Sequence, residues 1–207
     1  MFTDKEMLRI YLEMQKILKP TLSIEVGAFD ADYSKEMLKT GIECFAFEAS
    51  PFVYNKFKGQ MDGMSYINKA VSDKNGVVQF ESTNHQNPAV VGYNGIKNRK
   101  AKESYSYIDV ESVTLDFYFK DRTNDKISLW IDCEGANQEV LMGSTNILSS
   151  VESILIETED IELWDKQWLH DDVVEFLKTF GFEIVHEKKA YDHQKNVIFA
   201  KNVDLFK

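Results

Sequence analysis

Leu129-Trp130-Ile131-Asp132-Cys133-Glu134-Gly135 is the stretch that decides how this chain folds. An apolar run ends abruptly in two carboxylates at i and i+2, followed by a glycine. Runs of this kind form strands buried on both faces of a parallel sheet. At the carboxyl end of such a strand the chain leaves the sheet, and open α/β sheets bind their ligands there. The two acids stand either at a site of chemistry or at a solvated turn that caps the next helix.

Working outward, strands and helices alternate. Strands are predicted at 21–26, 42–47, 65–71, 126–131 and 151–156. Helices are predicted at 31–40, from Pro51 to about residue 60, and at 136–149. A later helix carries Val173, Val174, Phe176, Leu177 and Phe180, capped by Asp171 or Asp172 and closed by Gly181. Residues 1–19 read as an N-terminal helix: Thr3 and Glu6 have capping-box spacing, Met7, Ile10, Tyr11, Met14, Ile17 and Leu18 recur at helical intervals, and Pro20 stops it. Asn75-Gly76 predicts a hairpin turn into Val77–Phe80. Residues 110–115 predict a further strand or the lead-in to a short helix. The polar segment 82–108 predicts a long loop that could serve as a lid. Phe182–Val185 and Asn196–Ala200 are joined by too short a segment for a crossover helix, so they predict an antiparallel pair. The expected fold is α/β: a doubly wound, mostly parallel sheet with a C-terminal antiparallel strand and helices on both faces, residues 1–207 forming one domain.

Composition narrows the function. The 207 residues are 43% hydrophobic and 28% charged, an ordinary globular balance. With 24 basic and 34 acidic residues the net charge is −10, which excludes the basic footprint that nucleic acid requires. No apolar stretch reaches membrane-span length, and Met1-Phe2-Thr3-Asp4-Lys5-Glu6 lacks the start of a secretory signal, so a cytoplasmic location is expected. Cys44 and Cys133 fall in apolar runs and read as buried thiols. The basic run Lys97-Asn98-Arg99-Lys100-Ala101-Lys102 reads as a solvated loop or as a site for an acidic substrate group.

The turn after the first strand, Glu25-Val26-Gly27-Ala28-Phe29-Asp30-Ala31-Asp32, has one glycine where a dinucleotide fingerprint needs three. Glu25, Asp30 and Asp32 would repel a pyrophosphate at the following helix. A cationic adenosyl ligand without phosphate, S-adenosylmethionine, suits this turn better. Glu48 ends the second strand 21 residues beyond Gly27, the spacing at which a carboxylate holds a ribose diol. Ser72 and Asp73, after the third strand, either reach the adenine edge or shape the turn before Gly76.

Four segments occur in order: Glu25-Val26-Gly27-Ala28, Ala70-Val71-Ser72-Asp73, Val113-Thr114-Leu115-Asp116 and Ile131-Asp132-Cys133-Glu134-Gly135-Ala136, the last followed by Glu139-Val140-Leu141-Met142-Gly143. This pattern resembles the FkbM-type methyltransferase family over residues 21–200. The resemblance implies the Rossmann-like methyltransferase fold, S-adenosylmethionine as cofactor, and O-methylation of a hydroxyl on a sugar, glycan or other small molecule. Three positions depart from the family pattern: Phe29 where it has Asn, Ala31 where it has Gly, and Asn137 where it has an acid. Ala31 fits if its φ is negative.

The donor-binding set expected is Glu25, Gly27, Ala28, Asp30, Tyr33, Glu48, Ala49, Ser72, Asp73 and Asp132. Asp132 either positions the donor or acts as base, Glu134 orients or deprotonates the hydroxyl, and Glu157 at the next strand end converges on the same edge. The same three acids could share a hard divalent cation through oxygen ligands. His85, His170, His186 and His193 read as surface groups, with His85 the one that a closing loop could bring to the site. Trp164, Trp168, Tyr105 and Tyr107 read as packing, or as an apolar floor for a sugar ring. A non-catalytic binding module and an NAD-dependent oxidoreductase are the alternatives.

Overall fold

The computed structural model describes residues 4–83, 95–98, 100, 105–122 and 124–206. Among the described residues ten strands are seen: β1 Leu22–Val26, β2 Glu43–Phe47, β3 Ser65–Ile67, β4 Ala70–Val71, β5 Gly76–Thr83, β6 Tyr105–Val113, β7 Ile127–Ile131, β8 Val151–Glu159, β9 Glu183–Tyr191 and β10 Gln194–Ala200. The helices are α1 Lys5–Leu18, α2 Asp32–Leu38, α3 Pro51–Phe57, α4 Leu115–Tyr118, α5 Asn137–Met142 and α6 His170–Lys178. None of the described helices is long and apolar enough to cross a membrane.

Seven strands form the main sheet in the order β3-β2-β1-β7-β8-β10-β9. β1 pairs in parallel with both β2 and β7, so the order reverses between β1 and β7. That reversal opens a crevice at the carboxyl ends of the two strands. The strands are buried on both sides because helices cover both. Ile127, Leu129 and Ile131 of β7 pack with Leu115, Val140, Leu141, Val173 and Leu177 on one face. Trp130 packs with Met7, Tyr11, Met14, Tyr33 and Met37 on the other. This is the doubly wound Rossmann-like fold that the alternating pattern predicts.

Three predicted elements differ. The strand expected at 65–71 is two strands, β3 in the main sheet and β4 in a second sheet of order β4-β6-β5. The break falls at Asn68, whose side-chain amide donates to the carbonyls of Glu48 and Ala49 and turns the chain. The hairpin expected at Asn75-Gly76 does not join neighbours: β5 pairs antiparallel with β6, which pairs in parallel with β4. Residues 82–83 and 105–108, expected in the long loop, belong to β5 and β6, while 84–94, 99 and 101–104 lie outside the described residues. At the other edge the antiparallel strand is not last. β10 inserts between β8 and β9, because its run Val197–Ala200 is buried on both faces. β9, with exposed Glu183, Glu187 and Lys189, takes the edge, where charge discourages further pairing.

Two residues of the segments that carry the resemblance hold the frame. Asp116 of the Val-Thr-Leu-Asp segment accepts the backbone N–H groups of Asn146 (3.0 Å) and Ile147 (2.9 Å). Gly143, which closes the Glu139–Gly143 segment, crosses the Ser72 backbone so closely that a Cβ there would lie 2.1 Å from the Ser72 carbonyl oxygen. Gly143→Ala should therefore destabilise by about 2–3 kcal/mol through overpacking. Gly41→Ala, whose Cβ would meet nothing within 4 Å at φ 84°, should cost only about 1–2 kcal/mol of left-handed backbone strain. Urea unfolding of the two variants checks the order; equal losses would contradict the close crossing.

Candidate functional site

Gly27 ends β1 at φ 77°. A Cβ at Gly27 would fall 1.7 Å from the backbone carbonyl oxygen of Asp132. The glycine expected to admit a ligand thus first admits the neighbouring strand end. Across the same junction the Asp132 N–H donates to the Val26 carbonyl (2.9 Å). Two sequence-distant turns are thereby welded side by side.

Beyond Gly27 the turn is bent by non-glycine residues. Phe29 (φ 47°) and Ala31 (φ 56°) both adopt left-handed backbone, so the condition set for Ala31, a negative φ, is not met. Such residues cost of order 1–3 kcal/mol each and persist where their surroundings over-determine them. Here they do: the Phe29 N–H donates to Glu48 Oε2 (2.9 Å), and its carbonyl accepts the Tyr66 hydroxyl. The Phe29 ring packs on Phe57, with Lys56 above both rings. Glu134 (φ 50°) repeats the strain on the β7 side, beside Gly135 (φ 78°).

A crevice runs across these turns. Gly27, Phe29, Glu48 and Ala49 line its β1–β2 side, and Asp132, Cys133, Glu134 and Ala136 its β7 side. Val53, Ala70, Val71, Phe80 and Ile96 make an apolar slot at the far end. Glu48 is 7% exposed, with Oε1 accepting the Ser50 N–H (2.7 Å) and Oε2 the Phe29 N–H. Both oxygens are oriented by backbone and keep lone pairs for a ligand. Burial raises this carboxyl to about 7, against the lowering effect of those two N–H groups.

Asp132 and Glu134 lie together at the β7 end. Glu157, on β8, joins them: one oxygen from each of the three lies within 4.8 Å of the others. Asp132 Oδ1 is buried and has no hydrogen-bond partner, and burial raises its carboxyl to about 6. Burial, then the nearby charges of Asp132 and Glu159, push Glu157 well above the usual carboxylate range. The Glu157 carbonyl accepts Asn137 Nδ2 (2.7 Å), and Asn137 Oδ1 faces Cys133 Sγ at 3.3 Å. An acid at position 137 could not donate to that carbonyl, so this departure from the family pattern has a structural use.

Other expected site residues lie elsewhere. Tyr33 is fully buried, stacked on Trp130 (5.0 Å) with its hydroxyl 2.5 Å from Ser128 Oγ, and faces the core. Glu25 points to α2, where it accepts the Ser34 N–H (2.9 Å); burial lifts it to about 8. Ala28 is buried against Ala31, Ala46 and Met61, and half-buried Asp30 lies outside the crevice lining. Ser72 hydrogen-bonds Ser112 (2.8 Å), Asp73 is exposed, and neither lines the crevice. Trp164, 1% exposed, packs beneath Gly135, whose Cβ would lie 2.8 Å from its side chain. Trp168 packs on Phe176, Tyr107 is exposed, and the Tyr105 side chain and His85 lie outside what is described. His170 faces Thr158 Oγ1 at 3.1 Å, away from the crevice lining. In the basic run, Lys97 pairs with Glu139 (2.8 Å) and donates to the Lys166 carbonyl, and Lys100 pairs with Glu162. Phe80 and Ile96 had no local signal, because their place depends on the second sheet.

The buried carboxyls make ligand-free stability depend on pH. Glu25, Glu48, Asp132 and Glu159 titrate at about 8, 7, 6 and 7 when folded. Unfolded carboxyls titrate near 4, so the folded chain binds more protons between pH 4 and 8. Their contribution is complete below the unfolded value and is lost as pH rises through the folded ones. The melting temperature should fall by at least about 5 °C from pH 5.5 to 8.5. A rise over that range would contradict the burial of these groups.

Comparison with known proteins bears on the family and the fold. The model of the methyltransferase FkbM domain matches residues 25–184. A 2-O-methyltransferase, NoeI of Sinorhizobium fredii, is 25% identical over 190 residues, covering 84% of this chain and 78% of its own. Among solved structures, a Burkholderia thailandensis 1,6-didemethyltoxoflavin-N1-methyltransferase with bound S-adenosylhomocysteine has a TM-score of 0.51 at 11% identity, over 96% of this chain and 80% of its own. A Geobacter metallireducens precorrin-6y C5,15-methyltransferase has a TM-score of 0.51 at 11% identity, over 96% and 90%. The chain belongs to the FkbM methyltransferase family.

Proposed function

We propose that the protein transfers a methyl group from S-adenosylmethionine to a hydroxyl of a sugar, glycan or other small molecule. One observation carries this reading: a single crevice joins an oriented buried carboxylate, Glu48, to the acid cluster at the β7 end. The apolar slot of Val53, Val71, Phe80 and Ile96 suits a flat heteroaromatic base. Glu48 suits the ribose diol beside it. Asp132 suits the cationic end of the donor, where an ionised acid offsets sulfonium charge. NoeI, a 2-O-methyltransferase by name, supports oxygen as the acceptor atom.

S-adenosylmethionine, held by Glu48 and Asp132, would supply an electrophilic methyl on a sulfonium leaving group. The chain's own residues align the acceptor oxygen and take its proton. Glu157 is the base in this assignment, because burial and like charge strengthen it, and Glu134 orients the hydroxyl. Calorimetry with S-adenosylhomocysteine tests the donor site. Binding should be lost at least about tenfold in Glu48→Ala and should be tighter at pH 8 than at pH 6, since protonation near 7 removes an acceptor from the ribose. NAD binding, or full affinity in Glu48→Ala, would overturn the reading. For chemistry, Glu157→Gln should fold and bind S-adenosylhomocysteine yet lose about 100-fold or more in turnover of a panel of hydroxylated acceptors. Turnover at the wild-type rate would remove Glu157 from the mechanism.

The cluster of Asp132, Glu134 and Glu157 favours one second reading, in which a hard divalent cation joins the three carboxylates and polarises the hydroxyl. Titration with Mg²⁺ or Mn²⁺ should then release heat in the wild type and none in Asp132→Asn. Turnover unaffected by EDTA would leave proton transfer to Glu157 alone.

A further inference from the structure

Glu157 stands where its charge is opposed. Asp132 and Glu134 bring carboxylate oxygens within 4.8 Å, and a glutamate has several torsions through which to retreat. Its main chain is gripped through the carbonyl by Asn137, which leaves the carboxylate to be held by another group. Among the described residues, Lys97 is engaged on Glu139 and Lys195 on Asp160.

Gln194 supplies the hold. It opens β10 and lies opposite Glu159 in register, while Asn196 lies opposite Glu157. Side chains on one face of an antiparallel pair meet directly or on the diagonal, so Gln194 reaches both acids. Its Nε2 is 2.9 Å from Glu157 Oε1 and 3.4 Å from Glu159 Oε1. A side-chain amide carries two protons, one for each carboxylate. Glu159 is a fixed anchor: it is 1% exposed, and its Oε2 accepts Gln167 Nε2 (2.8 Å). Gln167 in turn accepts the backbone N–H groups of Leu163 and Trp164 (2.6 and 2.7 Å), and Trp164 supports Gly135 beneath the cluster.

We propose that Gln194 is a positioning residue: its amide, anchored on Glu159, holds the Glu157 carboxylate in the acid cluster against the repulsion of Asp132 and Glu134. The proposal rests on the assignment of Glu157 above, but its structural half can be tested apart from the reaction. Gln194→Met keeps the length and removes both N–H donors. Crystal structures of the wild type and Q194M, each with S-adenosylhomocysteine, should show the Glu157 carboxylate withdrawn from Asp132 and Glu134 in the variant. Turnover should fall about tenfold or more while the donor KM and S-adenosylhomocysteine affinity stay within about twofold, a split that a general loss of structure would not give. Gln194→Lys, which restores a donor, should recover most of the loss. Glu157 unmoved in Q194M, or kcat unchanged, would overturn the proposal. If the wild type methylates none of the acceptors tried, a displaced Glu157 in Q194M still upholds the clamp, and the reading of the reaction fails instead. Should Q194M not fold, Gln194→Asn, one methylene too short to reach, is read in the same way.

Discussion

The site depends on one close approach. Where β1 and β7 end, the Gly27 backbone runs against the Asp132 carbonyl at a distance that admits no side chain. That contact brings together two turns more than a hundred residues apart in sequence. It also sets the crevice: one wall follows from Gly27 through Phe29 to Glu48, the other from Asp132 through Glu134 to Ala136. A Cβ at Gly27 would force the strand ends apart and open the junction on which both walls rest.

Strain and buried charge are concentrated on that junction. Phe29, Ala31 and Glu134 all hold left-handed backbone without being glycine, and each borders the crevice or its turn. Glu48 is buried, Asp132 and Glu157 are half-buried, and all three carboxyls are raised above their ordinary range, chiefly by desolvation. Each feature is unfavourable in isolation, and sites that bind and transform ligands gather such features. In the proposed reading, a ligand with a diol for Glu48 and positive charge for Asp132 would relieve the desolvation of these carboxyls.

The main sheet was legible because its central strands are short apolar runs bounded by glycine and acids, and each signal is local. Glu48 and Asp132 stand out in the sequence for the same reason, as acids at the ends of such runs. The second sheet was not, because β5 and β6 pair across a polar segment whose composition gives no register. Phe80 and Ile96 were missed with it. A strand's end does not reveal where its neighbours' side chains point: Ser72 is drawn to Ser112, and Tyr33 to Ser128 and Trp130. Gln194 was invisible for a third reason. Its partners lie on a strand 35 residues earlier, and only the insertion of β10 beside β8 brings them into reach.

The central claim is that the crevice at the β1–β7 junction takes an adenosyl donor with its ribose on Glu48 and its sulfur toward Asp132. A crystal structure of the protein with S-adenosylhomocysteine tests this directly. The account predicts both ribose hydroxyls within hydrogen-bonding distance of the Glu48 carboxylate, the adenine between Val53 and Phe80, and the sulfur on the Asp132 side. Density for the ligand at another place on the molecule, or in this crevice with the ribose turned away from Glu48, would contradict it.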